Sequence, residues 1–272
     1  MKPIGVFDSG YGGLTVLKEF VKHLPQYDYL YLGDNERAPY GSRHFDTVYA
    51  YTLQCVEWFF NQGCELVILA CNTASAKALR TIQQHDLRRF GENKRVLGVI
   101  RPTAEVIGEY STTGHVGIFG TSGTVQSNSY ILEAEKFFPH LKISQEACPM
   151  WVPLVENNEY NHVGADYFIR HNIENLLAKD HSIDTVLLAC THYPVLEEKI
   201  RTNLPENIKI VSQGEIVAKS LATYLQRHPE IEENCSKNAT RHFCTTGDKA
   251  DFDSHASLFF GETVEAEHVV VK

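Results

Sequence analysis

The chain has no Cys-x-x-Cys pair among its seven cysteines, no apolar run long enough to cross a bilayer, and no surplus of positive charge. Each absence removes a class of function. Seven scattered cysteines cannot all pair within one chain, so reduced thiols are expected and not a secreted disulfide framework. With 25 Lys and Arg against 34 Asp and Glu, the formal charge of −9 argues against nonspecific nucleic-acid binding, which depends on neutralising phosphates with clustered cations. An anionic small molecule would need a local device instead, such as oriented backbone N–H groups. No early apolar stretch is preceded by a basic region and followed by a small-residue cleavage site, so a cytoplasmic protein without membrane partners is expected. Cofactor signatures are missing as well. No Walker sequence occurs, no lysine stands in a pyridoxal context, and the turn from Asp8 to Gly13 has the wrong glycine spacing for a dinucleotide fingerprint. A zinc site from Cys71, Cys190 and His192 would lack the paired ligand spacing of structural zinc sites, so neither cofactor nor metal is expected.

What is present is an alternation of short apolar runs with amphipathic segments over 272 residues. Residues 4–7 read as a strand entering a glycine-rich turn, followed by a helix whose apolar face is Leu14, Leu17, Phe20, Val21 and Leu24, closed by Pro25. Further strands are expected near residues 29–32, 66–69, 96–100, 116–120, 143, 185–189, 208–211, 242–245 and 264–271, most of them followed by helices. The helix after residues 121–124 is expected to run through Phe138. That order predicts an α/β fold of mainly parallel sheets with right-handed crossovers. Residues 148–156, broken by Pro149 and Pro153, read as an ordered loop, and residues 229–240 as an exposed connection.

The most informative feature is a repeat. Leu66-Val67-Ile68-Leu69-Ala70-Cys71-Asn72-Thr73 returns, altered, as Thr185-Val186-Leu187-Leu188-Ala189-Cys190-Thr191-His192. Each copy is a buried-strand run feeding a cysteine and then polar side chains. Open α/β sheets bind ligands beyond the carboxyl ends of their strands, so two facing half-structures would present two thiols to one small molecule from opposite sides. The repeat suggests two similar domains across a cleft, residues 1–97 with 212–272 forming one and residues 98–211 the other.

Six ordered blocks carry a family resemblance: Ile4 to Leu14, Gly33-Asp34 with Pro39-Tyr40-Gly41, Ala70 to Ala74, Gly120 to Val125, Pro153 to Glu156, and Ala189 to Pro194. Phe243 to Asp248 followed by Phe252 also fits. Over nearly its whole length the chain resembles the cofactor-independent glutamate racemases of the aspartate/glutamate racemase superfamily. The resemblance implies interconversion of L- and D-glutamate, with D-glutamate supplied for peptidoglycan and a homodimer as one assembly. A racemase for aspartate or another amino acid, or a non-catalytic amino-acid-binding regulator, are the rival readings; the His192-Tyr193-Pro194 block favours glutamate and the retention of both cysteines favours catalysis. Three places depart from the family pattern: Arg101 replaces an acidic residue, Ser212-Gln213 replaces Asp-Ser, and residues 156–165 are extended.

Inverting an α-carbon requires removal of a proton on one face and delivery on the other, a task suited to two thiols, one ionised and one protonated. The resemblance maps them to Cys71 and Cys190, while Cys55, Cys64, Cys148, Cys235 and Cys244 read as buried small hydrophobes. Asp8 and His192 are candidates for tuning the thiols or receiving the substrate ammonium, against the blander readings of a helix cap and a structural histidine. Glu156 is expected to assist His192, as the family's glutamate does, although an exposed loop acid is the plain alternative. Ser9, Asn72, Thr73, Thr121, Thr124 and Thr191, with the Tyr40-Gly41 loop as backbone donor and lid, are expected to bind the two carboxylates. Singly, such residues are ordinary turn formers.

Overall fold

The computed structural model describes residues 2–272. Ten strands form two sheets, parallel throughout. The first contains β1 (Ile4–Asp8), β2 (Tyr29–Gly33), β3 (Leu66–Leu69) and β4 (Arg95–Gly98); the second contains β5 (His115–Gly120), β6 (Lys142–Ala147), β7 (Thr185–Ala189) and β8 (Lys209–Ser212). The chain then returns to add β9 (Arg241–Thr245) and β10 (Ala266–His268) to the first sheet. Spatial order is β10-β9-β2-β1-β3-β4 in one sheet and β6-β5-β7-β8 in the other. Two parallel-sheet α/β domains with flanking helices result, as the strand–helix alternation predicts.

Burial explains the order. β1, β2, β3 and β7 are interior strands buried at every residue, whereas the edge strands β4, β6 and β8 are only partly buried, and β9 is exposed at Arg241 and His242, where short β10 does not pair with it. Helix Leu14–His23 buries Leu14, Val16, Leu17 and Phe20. Each such side chain contributes about 1.5–3 kcal/mol relative to exposure. Helix Gly214–Arg227 packs on it through a face that includes Val217, Leu221 and Leu225, fastening the returning chain to the first domain. One apolar cluster runs from Phe20 and Tyr31 of the first domain to Trp151 and Leu188 of the second, so the two share a continuous core.

Several expected elements differ. β4 stops at Gly98 because Val99 turns helical, with φ −90° and ψ −14°, and Ile100 opens helix Ile100–Ala104. The segment read as a proline-broken loop is a helix, Trp151–Glu156, in which Pro153 is the third residue. A first-turn proline surrenders no intrahelical bond, so the helix survives it. The helix expected through Phe138 is cut at Asn128, whose φ of 53° is left-handed, into Ser122–Ser127 and Ser129–Ala134. Residues 229–240 are less exposed than expected: helix Pro229–Glu232 buries Ile231, and Cys235 is buried beyond it. Helix Val163–Lys179 was not anticipated; polar side chains break up its apolar stripe. The C-terminal strand is short, only Ala266–His268, at the sheet's edge. Among the described residues, no helix is long and apolar enough to cross a membrane.

Candidate active site

The two cysteine strands, β3 and β7, deliver their thiols into one cavity of about 120 Å³ between the domains. That is room for a small molecule and not a polymer. Cys71 follows β3 and caps the short helix Asn72–Lys77, its Sγ accepting from Ala74 N–H at 3.4 Å and donating to Ser9 Oγ at 3.6 Å. Burial pushes the Cys71 thiol up to about 12, the nearby Asp8 carboxylate adds to the rise, and the Ala74 N–H opposes it.

Asp8, the last residue of β1, is wholly buried. Its Oδ2 accepts from Gly10 N–H at 3.0 Å, and Thr191 Oγ1 donates to its Oδ1 at 3.4 Å across the domain boundary. Burial raises its carboxyl above the ordinary value, against the pull of His192 and the Gly10 and Gly13 N–H groups. The helix-cap reading does not hold, since the following helix starts at Leu14 with Gly13 as its cap and takes no side-chain bond there.

On the opposite wall, Cys190 follows β7 with Sγ 3.9 Å from His192 Nδ1, and His192 Nε2 lies 3.0 Å from Glu156 Oε1. Burial alone would discharge His192, but hydrogen bonds to Cys190 and Glu156 outweigh it and raise the imidazolium to about 10. Phe259 meets the imidazole edge-on, 5.3 Å between ring centres, fixing its plane from the C-terminal helix. Gly12 makes this approach feasible: a Cβ there would sit 2.3 Å from Thr191 Oγ1 and 2.5 Å from His192 Nδ1.

The hydroxyl residues form a linked row. Thr121 caps helix Ser122–Ser127 by accepting from Thr124 N–H at 3.2 Å, and its Oγ1 lies 2.9 Å from Thr73 Oγ1 and 3.1 Å from Thr124 Oγ1. Ser9, Asn72, Thr73, Thr121 and Thr191 line the cavity with both cysteines, His192 and Glu156; Asp8 and Thr124 stand behind the wall. Tyr40 and Gly41 also line it. Gly41 C=O accepts from Gly123 N–H at 2.8 Å, and Tyr40 O–H donates to buried Asp34, which Arg37 Nε and Thr246 Oγ1 also hold. Asp34 and Gln213 were missed as supporting residues, and Cys148, Val152 and Ser42 as lining ones. All seven cysteines are buried, so burial does not separate the reactive candidates from the rest, and Cys148, directly after β6, shares their strand-end position. Cys148 lines the cavity too, with burial holding its thiol well above the ordinary range. Arg101 is remote from this chemistry, its exposed guanidinium 2.9 Å from Glu105.

Comparison with known proteins places the chain in a family. Residues 4–221 match the Asp/Glu/Hydantoin racemase family. A glutamate racemase of Geobacter metallireducens is 36% identical, over 96% of this chain and 93% of its own. The RacE1 glutamate racemase of Bacillus anthracis superposes with a TM-score of 0.89 at 34% identity, over 99% of this chain and 98% of that one. The glutamate racemase of Francisella tularensis, solved in complex with D-glutamate, superposes with a TM-score of 0.87 at 28% identity and the same coverage. This chain belongs to the Asp/Glu/Hydantoin racemase family.

Proposed function

We propose that this protein is a cofactor-independent glutamate racemase, interconverting L- and D-glutamate by a relay between Cys71 and Cys190. The observation carrying the reading is that these two strand-end thiols, one from each domain, line the same small cavity. The names of the relatives supply the substrate, and the Francisella tularensis enzyme held D-glutamate when solved.

The α-proton leaves to a thiolate on one face while the opposing thiol gives its proton to the other, so proton count and charge balance within the pair. The resemblance assigns Cys71 to D-glutamate and Cys190 to L-glutamate as base. Burial and Asp8 hold Cys71 as the protonated acid. An incoming α-ammonium cation would offset Asp8 and ease that thiol's ionisation, because an opposite charge nearby favours the anion. Asp8 does not line the cavity and so acts through this field and through Thr191, not by direct contact. His192, protonated up to about pH 10, exchanges protons with Cys190 and is held in place by Glu156. The hydroxyls of Ser9, Thr73, Thr121 and Thr191 and the amide of Asn72 bind the two carboxylates without a lysine or arginine. We take residues 1–97 with 212–272, and 98–211, as the two bodies carrying one thiol each. Supply of D-glutamate to peptidoglycan in the cytoplasm completes the proposal.

Incubating the purified protein with L-glutamate and no additive, and following chirality by circular dichroism, tests it. The signal should decay to zero as the racemate forms. Binding of glutamate with an undiminished signal would make the protein a binder and overturn the reading.

A further inference from the structure

Both crossings of the chain between the domains meet at one side chain. Leaving the first sheet, the chain runs through helix Ile100–Ala104, which carries Thr103; returning, it passes Gln213 directly after β8. Gln213 is buried, and its Nε2 donates to Thr103 Oγ1 at 2.9 Å and to the Tyr130 hydroxyl. Its Oε1 accepts from Asn72 Nδ2 at 2.7 Å, while Tyr130 O–H donates to Asn72 Oδ1 at 2.6 Å. Two amides and one phenol thus close a buried ring of three hydrogen bonds.

The ring has only one sense. Thr103 gives its own proton to Val99 C=O at 2.8 Å, so it can only accept from Gln213. Gln213 therefore turns its nitrogen to Thr103 and Tyr130 and its oxygen to Asn72, and the single Tyr130 proton goes to Asn72. Flipping either amide would leave buried polar groups facing like partners, which a low-dielectric interior penalises. Asn72 is the residue after Cys71, opens the helix that Cys71 caps, and lines the cavity. Tyr130 comes from the second domain, and Gln213 from the segment that returns to the first.

We propose that Gln213 is a positioning residue: through the Asn72–Tyr130 ring it sets where Cys71 stands relative to the second domain, and so to the substrate α-carbon held between the thiols. This rests on the racemase reading. Proton transfer is sensitive to sub-ångström placement, so loosening the ring slows the Cys71 step selectively.

The test uses Gln213→Leu, which keeps the bulk and cannot form the ring, with α-deuterated D- and L-glutamate. We expect a folded variant with kcat down about tenfold or more, on the scale of a lost positioning contact. The isotope effect on kcat/KM should rise from D-glutamate, whose deuterium Cys71 removes, and fall from L-glutamate, where the Cys190 step now precedes the slow one. Isotope effects that move together would show general loosening and overturn the proposal, as would wild-type kinetics in the folded variant. Should Gln213→Leu fail to fold, Tyr130→Phe must show the same opposed shifts, and their absence there overturns it equally. A wild-type enzyme without turnover would defeat the racemase reading itself, whereas an active wild type with unopposed shifts in the variant defeats only the role of Gln213.

Discussion

His192 Nε2 lies 3.0 Å from Glu156 Oε1, which ties an imidazole on the Cys190 wall to a carboxylate from the helix Trp151–Glu156. Hydrogen bonds to Cys190 and to Glu156 together keep His192 protonated in the fold to about pH 10, against an ordinary value of 6.5. A folded-state value above the unfolded one means stability that is complete below pH 6.5 and is lost as pH climbs towards 10. Glu156→Gln removes the charged partner. Thermal melts of both proteins at pH 6.5 and pH 10 should show a wild-type advantage that shrinks across that range, with kcat for the variant down about 10²-fold, as for loss of a proton-transfer partner. An advantage constant with pH would mean that the pair is not ionic.

Cys71→Ala and Cys190→Ala should each abolish racemisation, because a relay missing one member cannot invert the centre. Folding should survive at a cost of about 1–2 kcal/mol, in Cys71→Ala partly from the lost cap to Ala74 N–H. Cys55→Ala should leave the rate nearly unchanged, since that thiol meets Arg37 outside the cavity. Chiral analysis of product beside urea melts checks all three, and a folded Cys71→Ala enzyme at near wild-type rate would remove the two-thiol relay.

Gly12→Ala places a methyl where Thr191 Oγ1 and His192 Nδ1 already stand. Something must move, and the wall carrying Cys190 is what yields. We expect about 1–3 kcal/mol of destabilisation, typical of overpacking, and a rate loss of about 10²-fold, typical of misplacement by an ångström. Thermal melts and initial rates measure both, and a fully active Gly12→Ala enzyme would show that the contact carries no constraint.

The sheets were legible because several interior strands are unbroken apolar runs; Leu66–Leu69 and Thr185–Ala189 fall inside the two cysteine-containing stretches. Helices were harder wherever backbone and packing overrode pattern. Pro153 looks like a breaker until its place in a first turn is known, and Val163–Lys179 mixes Asp166, Arg170 and Asn172 into its apolar stripe. In the cleft, side chains close to a strand end in sequence were readable from local motifs. What could not be read was contact between distant segments: Gln213 with Asn72, 141 positions apart, or Tyr11 with Asp251, 240 apart. Nor does local sequence say which way a side chain faces. Tyr40 was read as part of a substrate lid, and its hydroxyl turns away to Asp34.

The most direct test of the two-thiol account is deuterium incorporation at the α-carbon in deuterated water, followed by NMR from pure L- and pure D-glutamate. If Cys71 and Cys190 each serve one face, early deuterium must appear almost entirely in the product enantiomer, in both directions. Equal early labelling of recovered substrate and product would instead reveal one base serving both faces, and the relay proposed here would be wrong.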